Sequence, residues 1–262
     1  GTSMIGTAVA GTGAALSFGS EVLGGTYKVI GTSTVTGCTG NMADSAVITV
    51  NAAPTAYTVT GGGGYCTGGT GVHVGVINSD TGVSYQLYNG MVAGATLPGT
   101  GAAIDFGLTT ATGTYTVVAT RTSTGCTNTM TGSVVISINP LPAVHVVTGG
   151  GSYCPGGPGK VVGLDSGITG VNYQLYLGSS PVGAAIAGTS GVGVNFGLQT
   201  GIGTYTVHGI SAATGCSSLM TGTAIISYSS LPTAYNVTGG GGYCIGGTGA
   251  SVMLDGSSAG VN

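Results

Sequence analysis

The chain has 262 residues, of which 56 are glycine, 42% are hydrophobic and only 3% are charged. That apolar share is too high for a disordered chain, so the glycine marks turns rather than low complexity. Three Lys/Arg residues neither neutralise a nucleic-acid backbone nor form a polybasic patch, which argues against nucleic acid and against a charged membrane surface as partners. No apolar run approaches the roughly 20 residues that span a bilayer, so no membrane insertion is expected in this segment. A neutral Gly/Thr/Ser surface has little colloidal repulsion. It suits either self-association into a fibre, sheath or lattice, or a surface kept soluble by hydroxyls and glycans.

The organising feature is an internal repeat. GTYTVVATRTSTGC, which begins at Gly113, has an earlier counterpart at Gly25 and a later one at Gly203. Tyr27, Tyr115 and Tyr205 are spaced by 88 and then 90 residues, and Cys38, Cys126 and Cys216 keep the same spacings. Repetition at this length predicts a row of small domains. In chain order these are the back portion of one repeat (1–53), two full repeats (54–141 and 142–231), and the front portion of another (232–262). Both ends fall inside a repeat, so the sequence reads as a window on a longer array. Within 54–141, period-two patterns predict strands over 56–60, 72–77, 83–88, 102–106, 114–121 and 132–138. Gly, Thr and Asn mark turns every 8 to 12 residues. The fold class is therefore all-β: tandem immunoglobulin-like antiparallel sandwiches of about 88–90 residues, forming an elongated rod. The two extra residues of the later repeat lie between Tyr176 and Phe196, around LGSSPVG, which reads as an exposed loop.

Certain residues fit structural roles in such a sandwich. Tyr27, Tyr115 and Tyr205 suit the corner tyrosine that bonds back to upstream backbone. Tyr85 and Tyr173, each in YQLY, stand where many such domains carry a core tryptophan, which this chain lacks. Phe18, Phe106 and Phe196 recur in front of a glycine and read as core anchors. The acid in Asp105-Phe106-Gly107 is replaced by Ser17 and Asn195 in the other copies, so it is no metal site.

The pattern PxAxxVTGGGxYCxGG, then GVxYQLY, GTYTV, TGC and VxxSxxxLP resembles the tandem Ig-like and PKD-like repeats of giant secreted surface proteins of Bacteroidetes. The resemblance covers essentially the whole chain. It implies an extracellular or cell-surface adhesin or filament protein in which repeats act mostly as stalk. The expected partners are other copies of the chain or neighbouring repeats. The alternative is a carbohydrate- or surface-binding module using exposed tyrosines such as Tyr57, Tyr65 and Tyr88.

Each full repeat carries two cysteines, one in YCxGG and one in TGC, and all six (Cys38, Cys66, Cys126, Cys154, Cys216 and Cys244) are disulfide candidates. Zinc is disfavoured because there is no CxxC and no histidine at a repeated position. Pairing within a repeat (Cys66–Cys126, Cys154–Cys216) is the simplest arrangement. In a sandwich, however, the first turn and the last hairpin lie at opposite ends. A six-residue strand spans about 20 Å, whereas a disulfide needs Cα atoms within about 7 Å. A staple between neighbouring repeats, Cys66–Cys216, is therefore preferred. It would leave Cys126 and Cys154 to pair with repeats at or beyond the margin of the chain. A third option is Cys126–Cys154 across a fold-back.

No other constellation carries chemistry. His73, His145 and His208 occupy three different repeat positions. Of the acids Glu21, Asp44, Asp80, Asp105, Asp165 and Asp255, only Asp165 and Asp255 are equivalent, too scattered for a paired-carboxylate mechanism or a calcium cage. Asn78-Ser79-Asp80 reads as a turn. The glycine-rich stretches 61–71 and 239–249 are followed by no helix, so they are not phosphate cradles. Asn236-Val237-Thr238 is a glycosylation sequon. No cofactor, metal or enzymatic activity is expected.

Overall fold

A computed structural model describes residues 3–262, and it is built from strands and turns alone. The contacts divide it into two units. One comprises Gly1–Gly63 with Val72–Ile136; the other comprises Gly64–Gly71 with Ser137–Asn262.

In the second unit, a three-stranded sheet runs in the order Val147–Gly149, Lys160–Leu164, Val194–Gln199. The facing sheet runs Gly151–Tyr153, Ala224–Tyr228, Gly203–Ser211, Val171–Leu177, Ser180–Ala187. Ser217–Leu219 pairs alongside Gly203–Ser211. Strict alternation builds the core from both sheets. Val171, Tyr173 and Leu175 turn inward from one strand, Tyr205 and Val207 from its neighbour, and Val162, Leu164 and Val194 from the opposite side. Polar residues fill the outward positions. Gln174, between Tyr173 and Leu175, donates from its amide to the carbonyl of Val182 and so clips the adjacent strand across a register shift.

The glycine run before each Tyr-Cys allows the chain to switch sheets. Val147–Gly149 pairs antiparallel in the first sheet, whereas Gly151–Tyr153 pairs parallel to Ala224–Tyr228 in the second. Gly149 and Gly150 make the crossing with φ of 90° and 83°. A Cβ on Gly149 would overlap the carbonyl oxygen of Val161, and one on Gly150 would sit 2.8 Å from that of Ile225. The glycine-rich stretch 61–71 likewise holds the end of the strand Val59–Gly61 and the whole of Gly63–Cys66.

The first unit repeats the plan. Val59–Gly61, Val72–Val76 and Ile104–Thr109 form one sheet. Val92–Pro98, Val83–Asn89 and Gly113–Arg121 lie in the other, with Thr127–Thr129 beside the last. Val92–Pro98 carries no alternating large apolar residues because it is an exposed edge, which hides it from a period-two reading. Residues 3–53 carry four three-residue strands in two pairs: Gly25–Tyr27 with Ala46–Ile48, and Ile30–Thr32 with Thr39–Asn41. Within 232–262, Val237–Gly239 pairs with Val252–Leu254.

Two expectations need correction. Phe18 is 51% exposed and is no core anchor, whereas Phe106 and Phe196 are half-buried and Phe196 packs against the core. Phe106 lies inside a bulge between Asp105 and Leu108, held by the Gly107 N–H donating to the Asp105 carboxylate, which interrupts the strict alternation there. The fully buried positions of these strands are Ile104 and Val194. LGSSPVG is not a loop but a hairpin turn entering the strand Ser180–Ala187. Its pairing sets Ala187 opposite Asn172 where the earlier repeat sets Pro98 opposite Ser84. One extra residue is thus absorbed in the strand and the other in the turn before Val194.

Candidate functional site

The two cysteine motifs specify two local structures. In TGC, glycine takes the left-handed conformation and closes a tight hairpin. Ser211 and Gly215 exchange a backbone bond of 2.9 Å, the Ser211 N–H donates to the Cys216 carbonyl, and the Thr214 hydroxyl accepts from the Cys216 N–H. The same bonds recur at Arg121, Gly125, Thr124 and Cys126, and at Ser33, Gly37, Thr36 and Cys38. In YCxGG the second glycine N–H donates back to the cysteine carbonyl. This occurs at Gly69 to Cys66, Gly157 to Cys154 and Gly247 to Cys244. Each motif is a rigid mount for one thiol.

Cys66 and Cys216 are joined in a disulfide with Cα atoms 5.6 Å apart, across 150 residues of sequence. Cys66 belongs by sequence to the repeat 54–141, yet the segment Gly64–Gly71 packs with the unit that contains Cys216. Its seating is polar as well as covalent. The Thr67 N–H and hydroxyl both donate to the carbonyl of Asn139, at 3.0 and 3.2 Å. Cys216 is buried. The pairings Cys66–Cys126 and Cys154–Cys216 do not form, and neither does Cys126–Cys154. Cys38, Cys126, Cys154 and Cys244 are free thiols.

Each hairpin also grips the residues that lead into its own repeat. Asn128 and Ser218 donate to the carbonyls of Pro54 and Pro142, both at 2.8 Å. Arg121 donates to the carbonyl of Ala52 at 3.3 Å, and the Cys126 thiol lies 3.7 Å from the Asn51 carbonyl oxygen.

The corner tyrosines bond four residues back. Tyr115 donates to Ala111 at 2.7 Å, Tyr205 to Gly201 at 2.9 Å, and Tyr27 to Leu23 at 2.7 Å. Tyr85 and Tyr173 are wholly buried, and their hydroxyls accept from the N–H of Asp80 (2.8 Å) and Ile168 (3.1 Å). Sequence reasoning missed Met130 and Met220, which are buried and accept through sulfur from the backbone N–H of Tyr57 and His145. Met42, Met130 and Met220 repeat at spacings of 88 and then 90 residues, which is the signal the sequence carries.

Burial pushes the phenols of Tyr85, Tyr173 and Tyr205 above their ordinary value of 10.0, because the phenolate would sit away from water. Raised folded-state values make a contribution that is complete below pH 10 and lost as pH rises through the folded-state pKa. The expected result is alkaline unfolding above pH 10, in which these phenols ionise together with the loss of β-sheet circular dichroism. Their ionisation near pH 10 with the sheets intact would contradict that burial. At the acid end, the bond from Tyr57 at 2.7 Å holds the Asp80 carboxyl below the usual range.

The remaining candidates stay apart. His73 pairs with Asp105 at 2.6 Å on the surface, in an open groove that also includes Thr60, Ile77 and Ile104. His145 lies 3.6 Å from Asp165, and His208 packs edge-on against Tyr176. Among the described residues no three His, Cys, Asp or Glu side chains gather as a metal site. Ser79 is buried, donating to Ala102 and accepting from Thr100, and Asn78-Ser79-Asp80 is an irregular segment leading into the turn at Thr81-Gly82. The amide nitrogen of the sequon residue Asn236 donates to Asp255 at 2.7 Å. Tyr57, Tyr65 and Tyr88 are half-buried and line neither described groove.

These two facing sheets, with a parallel first strand and a corner tyrosine, define an immunoglobulin-like β-sandwich. Residues 54–140 match the family described as "Ig-like domain CHU_C associated". No curated protein matches the chain. A solved structure titled "Cytokine receptor complex - Crystal form 1A" is 17% identical, covering 59% of this chain and 85% of its own, with a TM-score of 0.25.

Proposed function

We propose that this chain is a stalk segment of an extracellular surface or filament protein, a row of Ig-like repeats whose work is mechanical and in which disulfides bind one repeat to the next. The observation that carries this reading is the Cys66–Cys216 bond, which ties the YCxGG turn of one repeat to the TGC hairpin of the following one. A disulfide of this kind needs an oxidising compartment. The similarity of residues 54–140 to the CHU_C-associated family agrees with export to the cell surface. The near absence of charge supports a role in contact with like surfaces rather than free diffusion.

Immunogold electron microscopy of intact source cells tests the reading. Label on the cell surface or on extracellular fibres is the expected outcome. Label confined to the cell interior would overturn it.

A further inference from the structure

In both full repeats the tyrosine before the cysteine, Tyr65 or Tyr153, lies on a short strand paired with the strand that closes the repeat. That closing strand carries Tyr228 in the later repeat, where the earlier one has Ile138, 90 residues before. Tyr153 and Tyr228 stand opposite each other in the parallel pair Gly151–Tyr153 with Ala224–Tyr228, and the Ser229 N–H donates to the Tyr153 carbonyl at 2.8 Å. Their rings meet edge to face, with centroids 5.3 Å apart and planes at 61°. Tyr153 is buried, and its hydroxyl is fixed by donating to the Thr200 carbonyl at 2.6 Å. Burial, and after it the neighbouring Tyr228 hydroxyl, push the Tyr153 phenol above its ordinary value. Tyr228, by contrast, is 51% exposed. Ile138 is 45% exposed although it adjoins Asn139, on which the Cys66 turn is seated. This position of the repeat therefore stays open to solvent at a junction that is already joined.

We propose that Tyr153 and Tyr228 are a site of oxidative modification, at which a haem peroxidase with hydrogen peroxide couples the two rings into a bityrosine. The exposed ring gives access and the buried ring gives position. The oxidant takes one electron and one proton from the Tyr228 phenol, and the radical passes across the ring contact to Tyr153. A second oxidation of Tyr228 leaves two radicals facing each other. They combine through carbons ortho to the two oxygens, forming one C–C bond. The two C–H bonds at those carbons break, and the hydrogens return to the oxygens as the rings become aromatic again. The pair thus loses two electrons and two protons, and one hydrogen peroxide becomes two waters. The link joins strands that are already paired in register, so the backbone need not move.

Coupling of this pair does not depend on the stalk reading, and the test supplies its own oxidant, so the two fail independently. Full-length chain with Cys66–Cys216 intact and its free thiols alkylated is treated at micromolar concentration with hydrogen peroxide and a haem peroxidase. Bityrosine fluorescence is followed, and the linked peptides are located by mass spectrometry. Retention of Cys66–Cys216 reports folding in every sample. Groups held in contact have a local concentration on the order of millimolar or above, so the Tyr153–Tyr228 link should exceed any link between copies roughly a hundredfold. Its yield should not change on dilution. Tyr228→Phe and Tyr153→Phe, which keep both rings, should each abolish it. The proposal is overturned if coupling runs instead between copies through exposed tyrosines such as Tyr235 and Tyr243, or if Tyr228 is oxidised and stays unlinked to Tyr153. Absence of any bityrosine under conditions that couple free N-acetyltyrosine would overturn it equally.

Discussion

Pulled from its two ends, the oxidised chain should release about 500 Å less length than the reduced chain. Tension entering at either end reaches Cys66 and Cys216 and passes through the bond between them. The 150 residues of separation are then carried as a slack loop that bears no force. At about 3.3–3.6 Å per extended residue, that loop is the missing length. It contains most of the strands of both full repeats, from Val72–Val76 to Gly203–Ser211, and none of these can be drawn out while the bond holds. Single-molecule extension with and without a thiol reductant measures this directly, and equal lengths in both conditions would show that no such bond forms. In solution the same bond restricts the unfolded ensemble, and for a loop of this size the chain-entropy argument gives about 5 kcal/mol. Cys66→Ser with Cys216→Ser should lower the denaturant midpoint accordingly. Cys126→Ser, which breaks no intramolecular bond, should leave it nearly unchanged.

The cysteine result shows which parts of this molecule are legible in its sequence. The repeat supplies the fold class, because alternation in VSYQLY and GTYTVVAT can bury only one face and that face recurs at fixed spacing. Strand length set against the reach of a disulfide disfavours pairing within a repeat and so favours the staple, with no need for side-chain detail. What the pattern conceals are features in which glycine or a bulge breaks the period. Phe106 and Phe196 stand out by recurrence, but the bulge and positive-φ glycine beside each, which leave it only half-buried, do not show in the pattern. The edge strand Val92–Pro98 shows no signal, since an exposed edge has no inward face to mark. The sheet switch at Gly149-Gly150 is invisible for another reason. Glycine states that the backbone is unusual there, but only the close approach of the Val161 and Ile225 carbonyls says what it does. Seating at the junction was likewise hidden, because Thr67 and Asn139 are 72 residues apart and neither residue type is distinctive.

Replacing Tyr173 by alanine should destabilise the second unit by about 3–5 kcal/mol, the largest loss expected from any single side chain in its core. The ring is wholly buried where the two sheets face each other, in a cluster with Val171, Leu175, Val207 and Met220. It is closely confined. A Cβ added to Gly188 would come within 2.6 Å of one ring edge, and one added to Gly209 within 3.1 Å of the other. The glycines on both sides offer no side chain to refill the space that alanine would leave, and only Met220 has the length to reach into it, so much of the cavity should persist. Tyr173→Phe separates the ring from the hydroxyl. It keeps the packing but leaves the buried N–H of Ile168 without its 3.1 Å acceptor, a loss of about 1–2 kcal/mol. Denaturant titrations of the two variants should therefore differ by the worth of the ring alone. If the phenylalanine variant were as unstable as the alanine variant, the hydroxyl would be the principal contribution, and tyrosine would be holding the turn before Val171–Leu177 rather than filling the sandwich.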